Sequence, residues 1–192
     1  MTHDEASKNP NPQGKGLVPV LDSITASRVS VSVPPKHIEQ ISSELFTSLF
    51  VLHSQFQFKP VVGKSYWLYR KNQCFKLSLI SPEQWRGGFG QYVGECHLQS
   101  DITWTLKLDR QAAKDRQLMQ LIASRRAEFE AKLQAAETLE QILPVFESAL
   151  PFYQRLFASA LANSLGTSMR KSGIASLPYN KAIKLLSNEN HD

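Results

Sequence analysis

The chain reads as an α+β protein, a small antiparallel four-strand meander packed by an N-terminal helix and followed by a helical C-terminal half. Three observations point there. Between Lys64 and Leu108, β-type runs alternate with turn-forming clusters. On either side of that stretch, apolar residues recur every three or four positions, the period of a helix face. The chain has 192 residues and 42% hydrophobic content, enough to bury a sizeable core.

In the sheet region, Ser65-Tyr-Trp-Leu-Tyr69 and Cys74-Phe-Lys-Leu-Ser-Leu-Ile80 flank the polar Arg70-Lys-Asn-Gln73, which suits a hairpin. Phe75, Leu77 and Leu79 alternate with Lys76 and Ser78, so one side of that strand faces a core. Ser81-Pro82-Glu83-Gln84 resembles a helix start, with a serine cap, a proline at the first helical position and a glutamine reaching back, and it predicts one helical turn carrying Trp85. After the permissive Gly87, Gly88 and Gly90, the runs Tyr92–Leu98 and Ile102–Leu108 supply two more strands around Gln99-Ser-Asp101.

Three motifs in this stretch, Tyr66-Trp-Leu-Tyr69, Leu79-Ile-Ser-Pro-Glu-Gln-Trp85 and Gly94-Glu-Cys-His-Leu98 followed by Asp101-Ile-Thr-Trp104, resemble in order and spacing an uncharacterised family, the domain of unknown function 2452. The match is strongest over residues 64–108. Asn11-Pro12 and Gly16-Leu17 resemble its leading segment. The family pattern has an acidic residue before the tryptophan and a glycine after it, where this chain has Gln84 and Arg86. The resemblance constrains the fold and brings no activity to any position.

Three regions follow along the chain. Residues 1–35 are rich in Asn, Pro, Ser, Lys and Gly and read as an extended arm, with an apolar patch at Leu17-Val-Pro-Val-Leu21. Residues 36–108 hold the sheet and its helix, the latter marked by Ile38, Ile41, Leu45, Leu49 and Leu52 between Lys36 and His53. Residues 109–192 are helical. Asp109 is the expected cap of a long helix of about seven turns, with a stripe of Leu118, Ile122, Phe129, Leu133 and Ala136 and an i, i+4 pair of Glu128 and Lys132. Thr138-Leu-Glu-Gln141 resembles a second capping box; a helix from Pro151 to Leu165 is expected to stop at Gly166, and a last one to cover Tyr179–Leu186.

Charge is uneven. The formal net charge is +5, and from Ser148 to Asn188 there is no acidic residue beside Arg155, Arg170, Lys171, Lys181 and Lys184. Such a segment attracts phosphate backbones or an acidic protein face. The plainer reading is a sparsely charged solvated surface offset by neighbours such as Glu128, Glu137 or Glu147. The helix from Pro151 has Arg155 as the one charge of its polar face, which speaks against a membrane-surface role.

Catalytic and metal motifs do not rise above background, so no cofactor and no metal are expected. Glu95 and His97 project from one face of a strand with Asp101 nearby, the minimum for acid–base chemistry. Arg86-Gly-Gly-Phe-Gly90 precedes a strand, which is the wrong context for a phosphate loop. Cys74 and Cys96 read as reduced thiols, Trp104 as core, and Trp85 as a residue open to contacts. No apolar run approaches the roughly 20 residues of a membrane span and Met1–Gly16 lacks a secretion-signal centre, so a cytoplasmic location is expected. The expected function is non-enzymatic binding or adaptor work, with the basic C-terminal helices meeting an acidic protein or RNA. The binding residues would be Trp85, Arg86, Arg155, Arg170, Lys171, Lys181 and Lys184. The alternative is a small enzyme or metabolite binder with a pocket near Glu83–Arg86 and Glu95–His97.

Overall fold

The computed structural model describes residues 33–84, 88–145 and 148–189. Helix α1 (Ile38–Leu52) leads into β1 (Ser65–Lys71), β2 (Cys74–Ser78), β3 (Gln91–Leu98) and β4 (Trp104–Leu108); then come α2 (Arg116–Ala135), α3 (Phe152–Lys171) and α4 (Tyr179–Glu189). The α+β class, the leading helix and the four antiparallel strands are those the sequence predicts. The expected arm over residues 1–35 lies, up to Ser32, outside the described residues.

Strand order is where the sheet departs from a meander. It runs β2-β1-β3-β4, so β1 is central and β3 pairs with β1 instead of β2. β1 and β2 are joined by a tight turn in which Asn72 takes a positive φ of 57°, a conformation asparagine tolerates. The outer edge of β2 is already occupied: Gln55 donates its backbone N–H to Phe75 O (2.8 Å) and accepts from Leu77 N (3.0 Å). With that edge closed, the chain crosses back to the free edge of β1. Leu68 pairs with Gly94 and Tyr69 with Tyr92, which leaves Val93 as the extra residue of a bulge. Gly94 is required beside it, because a Cβ there would stand 2.3 Å from the Lys107 carbonyl oxygen.

One sheet face is the core. α1 buries Ile38, Ile41, Leu45 and Leu52 and packs on β4 and α3; Tyr66, Leu68, Leu77, Leu98 and Trp104 of the sheet and Phe157, Leu161, Leu165 and Met169 of α3 are buried as well. Trp104 is 1% exposed, a core residue as expected. Its backbone N–H donates to the Ser48 hydroxyl on α1 at 2.8 Å, which fixes the helix over β4. A second cluster joins Ile38 and Ile41 to Leu133, Leu139, Met169, Ile174 and Ala182, so the start of α1 also serves the C-terminal helices.

Lys36, just before α1, is the polar anchor of this arrangement. Its ammonium, 6% exposed, donates to Glu44 Oε2 and Asp101 Oδ2, each at 2.5 Å. Its backbone N–H donates to the Ser172 hydroxyl (3.0 Å), which donates in turn to the Lys36 carbonyl (2.9 Å). Burial alone would lower the Lys36 pKa, but the hydrogen bonds and charges of Asp101 and Glu44 outweigh it and raise the group above its usual 10.5. For Asp101, burial acts upward and is outweighed by Lys36 and Thr103, which hold the carboxyl below 3.8.

Several helix ends differ from the sequence reading. Asp109 caps the short 3-10 turn Ala112–Lys114 through Gln111 N and Ala112 N. The cap of α2 is Asp115, which accepts from Gln117 N (2.9 Å) and Leu118 N (3.1 Å). That shortens the helix to 20 residues, about five and a half turns, and its i, i+4 ion pair is Arg126–Glu130 at 2.9 Å. Gly166 does not stop α3. It is buried in mid-helix, where a Cβ would come within 3.2 Å of Leu143 Cδ1. The stop is Gly173, at φ 69°, whose N–H donates to Arg170 O while Ile174 N donates to Met169 O, the paired bonds of a Schellman end. Pro82–Gln84 forms a 3-10 turn in which Gln84 N donates to Ser81 O at 3.1 Å and the Glu83 carboxylate accepts from the Ser81 hydroxyl; Trp85 lies outside the described residues. Thr138 makes no side-chain cap, although Gln141 does accept from Glu137 N at 3.1 Å.

Replacing Lys36 by methionine strands two half-buried carboxylates, and we expect a loss of about 2–4 kcal/mol by denaturant unfolding, against under about 1 kcal/mol for the exposed Lys64→Met. The lowered Asp101 contributes stability that is present above pH 3.8 and lost as pH falls further. The raised Lys36 contributes stability that is present below pH 10.5 and lost as pH rises through its folded value. Wild-type unfolding free energy should therefore drop at both extremes, and the alkaline drop should shrink in Lys36→Met.

Candidate functional site

The five basic residues of the C-terminal segment do not converge. Arg155 is exposed near the start of α3, and Arg170 and Lys171 are at its end, about 22 Å further along the axis. Arg170 is in an ion pair with Glu140 at 3.0 Å, a different carboxylate from the three that the sequence offered. Lys171 donates to the Val33 carbonyl at 2.6 Å. Lys181 and Lys184 are exposed on α4. Trp85 and Arg86 lie outside the described residues.

Glu95 and His97 do share a face of β3, the one turned away from the core, and both are half-buried. His97 Nδ1 lies 3.2 Å from the Ser65 hydroxyl. Asp101, the third member of that expected trio, is committed to Lys36 and to Thr103, so it cannot serve Glu95 and His97. Around them the open face is aromatic: Tyr69 and Tyr92 lie 5.6 Å apart, and burial followed by the charge of Glu95 pushes Tyr92 up to about 12.

Two concave regions stand out among the described residues, and neither of these two is lined by Glu95 or His97. The smaller, of about 520 Å³, lies beside the β1–β2 turn and is lined by Lys71, Cys74, Lys76 and Phe89, with the Lys76 ammonium 4.1 Å from the Phe89 ring centre. The larger, of about 850 Å³, lies between α1 and α2 and is closed at one end by Gln141 and Ile142. Its walls meet at Phe46 and Phe129, 5.7 Å between ring centres. The Arg125 guanidinium sits over Phe50 (5.5 Å) and Phe75 (5.2 Å), and Arg126 over Phe46 (5.2 Å). Sequence reasoning missed this groove. Its signal was a second helical stripe on α1, Phe46, Leu49, Phe50 and His53, one face round from the sheet-packing stripe.

Cys74 is exposed and Cys96 buried. β1 lies between their strands, so they are not cross-strand neighbours. Burial, then the charge of Glu95, pushes the Cys96 thiol far up. Among the described residues there is no cluster of His, Cys, Asp and Glu that could hold a metal, and no helix long and apolar enough to cross a membrane.

These features define an α+β domain whose concave surfaces are lined by aromatic and basic side chains. Residues 37–124 match the model of the family described as Protein of unknown function (DUF2452), the family that the three motifs resemble. The matched stretch takes in α1, the whole sheet and the start of α2. No curated protein and no solved structure matches the chain.

The thiols give a direct check of the placement of β2 and β3. With an aromatic disulfide reagent near neutral pH, Cys74 should titrate at once and Cys96 only after denaturant is added. Two fast thiols in the native protein would mean that β3 is not buried as described.

Proposed function

We propose that this is a non-enzymatic cytoplasmic binding or adaptor protein whose basic C-terminal segment meets an acidic protein. The observation that carries this reading is the pair Lys181 and Lys184. Both are exposed, they sit three residues apart on α4, and neither ammonium has a hydrogen-bond or ion-pair partner among the described residues. Lys171 adds a charge at the neighbouring end of α3, whereas Arg170 is offset by Glu140 and Arg155 is too remote to join them. Unpaired cations project a field over about a Debye length, ~8 Å at physiological salt, which speeds encounter with an acidic surface.

A protein suits this end of the molecule better than RNA. Beside Lys184, Leu185 is 47% exposed, and apolar area next to cations fits a protein interface. RNA recognition needs aromatic platforms for its bases, and Tyr179, the ring on α4, is packed against the hydrophobic cluster instead.

The test is affinity purification of the full chain with and without nuclease, read by mass spectrometry, alongside Lys181→Glu/Lys184→Glu. We expect an acidic protein that survives nuclease, is lost in the double variant, and associates about tenfold more slowly as salt is raised. Partners unchanged by the double variant, or released by nuclease, would refute the proposal.

A further inference from the structure

The groove between α1 and α2 is a separate surface, well removed in sequence from Lys181 and Lys184. α1 lines it with Phe46, Leu49, Phe50 and His53, which follow the i, i+3, i+4, i+7 spacing of one helix face. α2 lines it with Arg125, Glu128, Phe129 and Lys132 at the same spacing. Two such faces beside a gap of about 850 Å³ leave the third place of a three-helix packing without an occupant among the described residues.

The charges select what fits there. Arg125 is held by the Phe50 and Phe75 rings and has no carboxylate partner among the described residues. Lys132 is exposed, and its ammonium has no hydrogen-bond or ion-pair partner among them either. Glu128, the one carboxylate of the lining among the described residues, accepts from the Ser124 hydroxyl at 3.5 Å. Two cations against one carboxylate, above a floor of Phe46, Leu49, Phe50 and Phe129, favour a ligand that is apolar on one side and acidic on the other. Arg125 and Lys132 are seven residues apart, about 10 Å along the axis, so they match two carboxylates separated by two turns of a bound helix. A single acyl carboxylate would leave one of them unanswered, and a nucleic acid would leave the apolar floor uncovered.

We propose that this groove docks an amphipathic helix of a partner protein, its apolar stripe seated on the phenylalanines and its flanking carboxylates on Arg125 and Lys132. The site does not rest on the C-terminal cations and can stand or fall without them.

The probe is a synthetic peptide of about four turns, fluorescein-labelled, with leucines at i, i+3, i+4 and i+7 and glutamates flanking them, titrated into the full chain by anisotropy. We expect saturable binding in the micromolar range, weakened about tenfold by Lys132→Glu and abolished by Leu49→Glu. A peptide with lysines replacing the glutamates should bind Lys132→Glu better than wild type. Lys181→Glu/Lys184→Glu should leave the affinity unchanged, which separates this site from the C-terminal one. Lys132 is exposed, so if Leu49→Glu does not fold, Lys132→Glu and the charge-swapped peptide decide. The proposal is overturned by affinity insensitive to Lys132→Glu, or by a labelled fatty acid or RNA oligonucleotide binding in a Lys132-dependent way where the peptide does not. It is overturned equally by photocrosslinks from position 132 to residues 1–32 of the same chain, which would make the occupant internal.

Discussion

The buried ammonium of Lys36 is the interaction on which the remaining architecture depends. It joins the segment leading into α1, the second turn of α1 through Glu44, and the β3–β4 turn through Asp101, while its backbone is tied to Ser172 at the end of α3. Four parts of the chain, far apart in sequence, thus meet at one residue. An apolar side chain there would pack without directing anything. An ammonium with two carboxylates accepts only arrangements that bring both acids to it, so the node specifies a register as well as contributing to stability.

The same node explains a conformation that would otherwise be unfavourable. Ile102 is β-branched, buried and at φ 70°, where its side chain crowds the following carbonyl at a cost of about 1–2 kcal/mol. It is held on both sides. Asp101 uses one oxygen for Lys36 and the other for the N–H and hydroxyl of Thr103, and Gln99 N closes the turn onto Thr103 O at 2.8 Å. The tight turn in turn delivers Trp104 to the Ser48 hydroxyl. Strain at one residue is offset by a helix position, a strand register and a buried charge acting together.

With α1 fixed by its sheet-facing and α3-facing sides, its remaining side meets α2 at Phe46 and Phe129. α2 starts from a cap, Asp115, that is tethered to the sheet by Gln91 (3.0 Å) and Arg70 (3.6 Å), and its far end joins the cluster around Leu133 and Leu139. Anchored at both ends, the helix meets α1 through Leu133 in that cluster and through the Phe46 and Phe129 rings, and the groove lies alongside those rings. Both candidate surfaces lie on the helical side of the molecule. The outer sheet face, where Glu95 and His97 sit, has lost the carboxylate that acid–base chemistry would have drawn on.

The sequence by itself determined the class and nearly every element, because two periods, 2 for the strands and 3.6 for the helices, are local properties of Phe75–Leu79 and of Ile38–Leu52 that any neighbour within a few residues reveals. The family motifs were legible for the same reason. Tertiary structure alone decided the strand order, since only Gln55 closing the β2 edge sends β3 to the other side of β1. It also decided which of two aspartates caps α2 and which of two glycines ends α3; a cap or stop residue is a local signal, but Asp115 is selected by Gln91 and Arg70, and Gly166 is kept inside the helix by Leu143. The fate of the charges belongs here too. Composition counts cations, whereas pairing depends on which carboxylate arrives within a few ångströms, and that is set by chain segments as distant as Glu140 from Arg170 and Asp101 from Lys36.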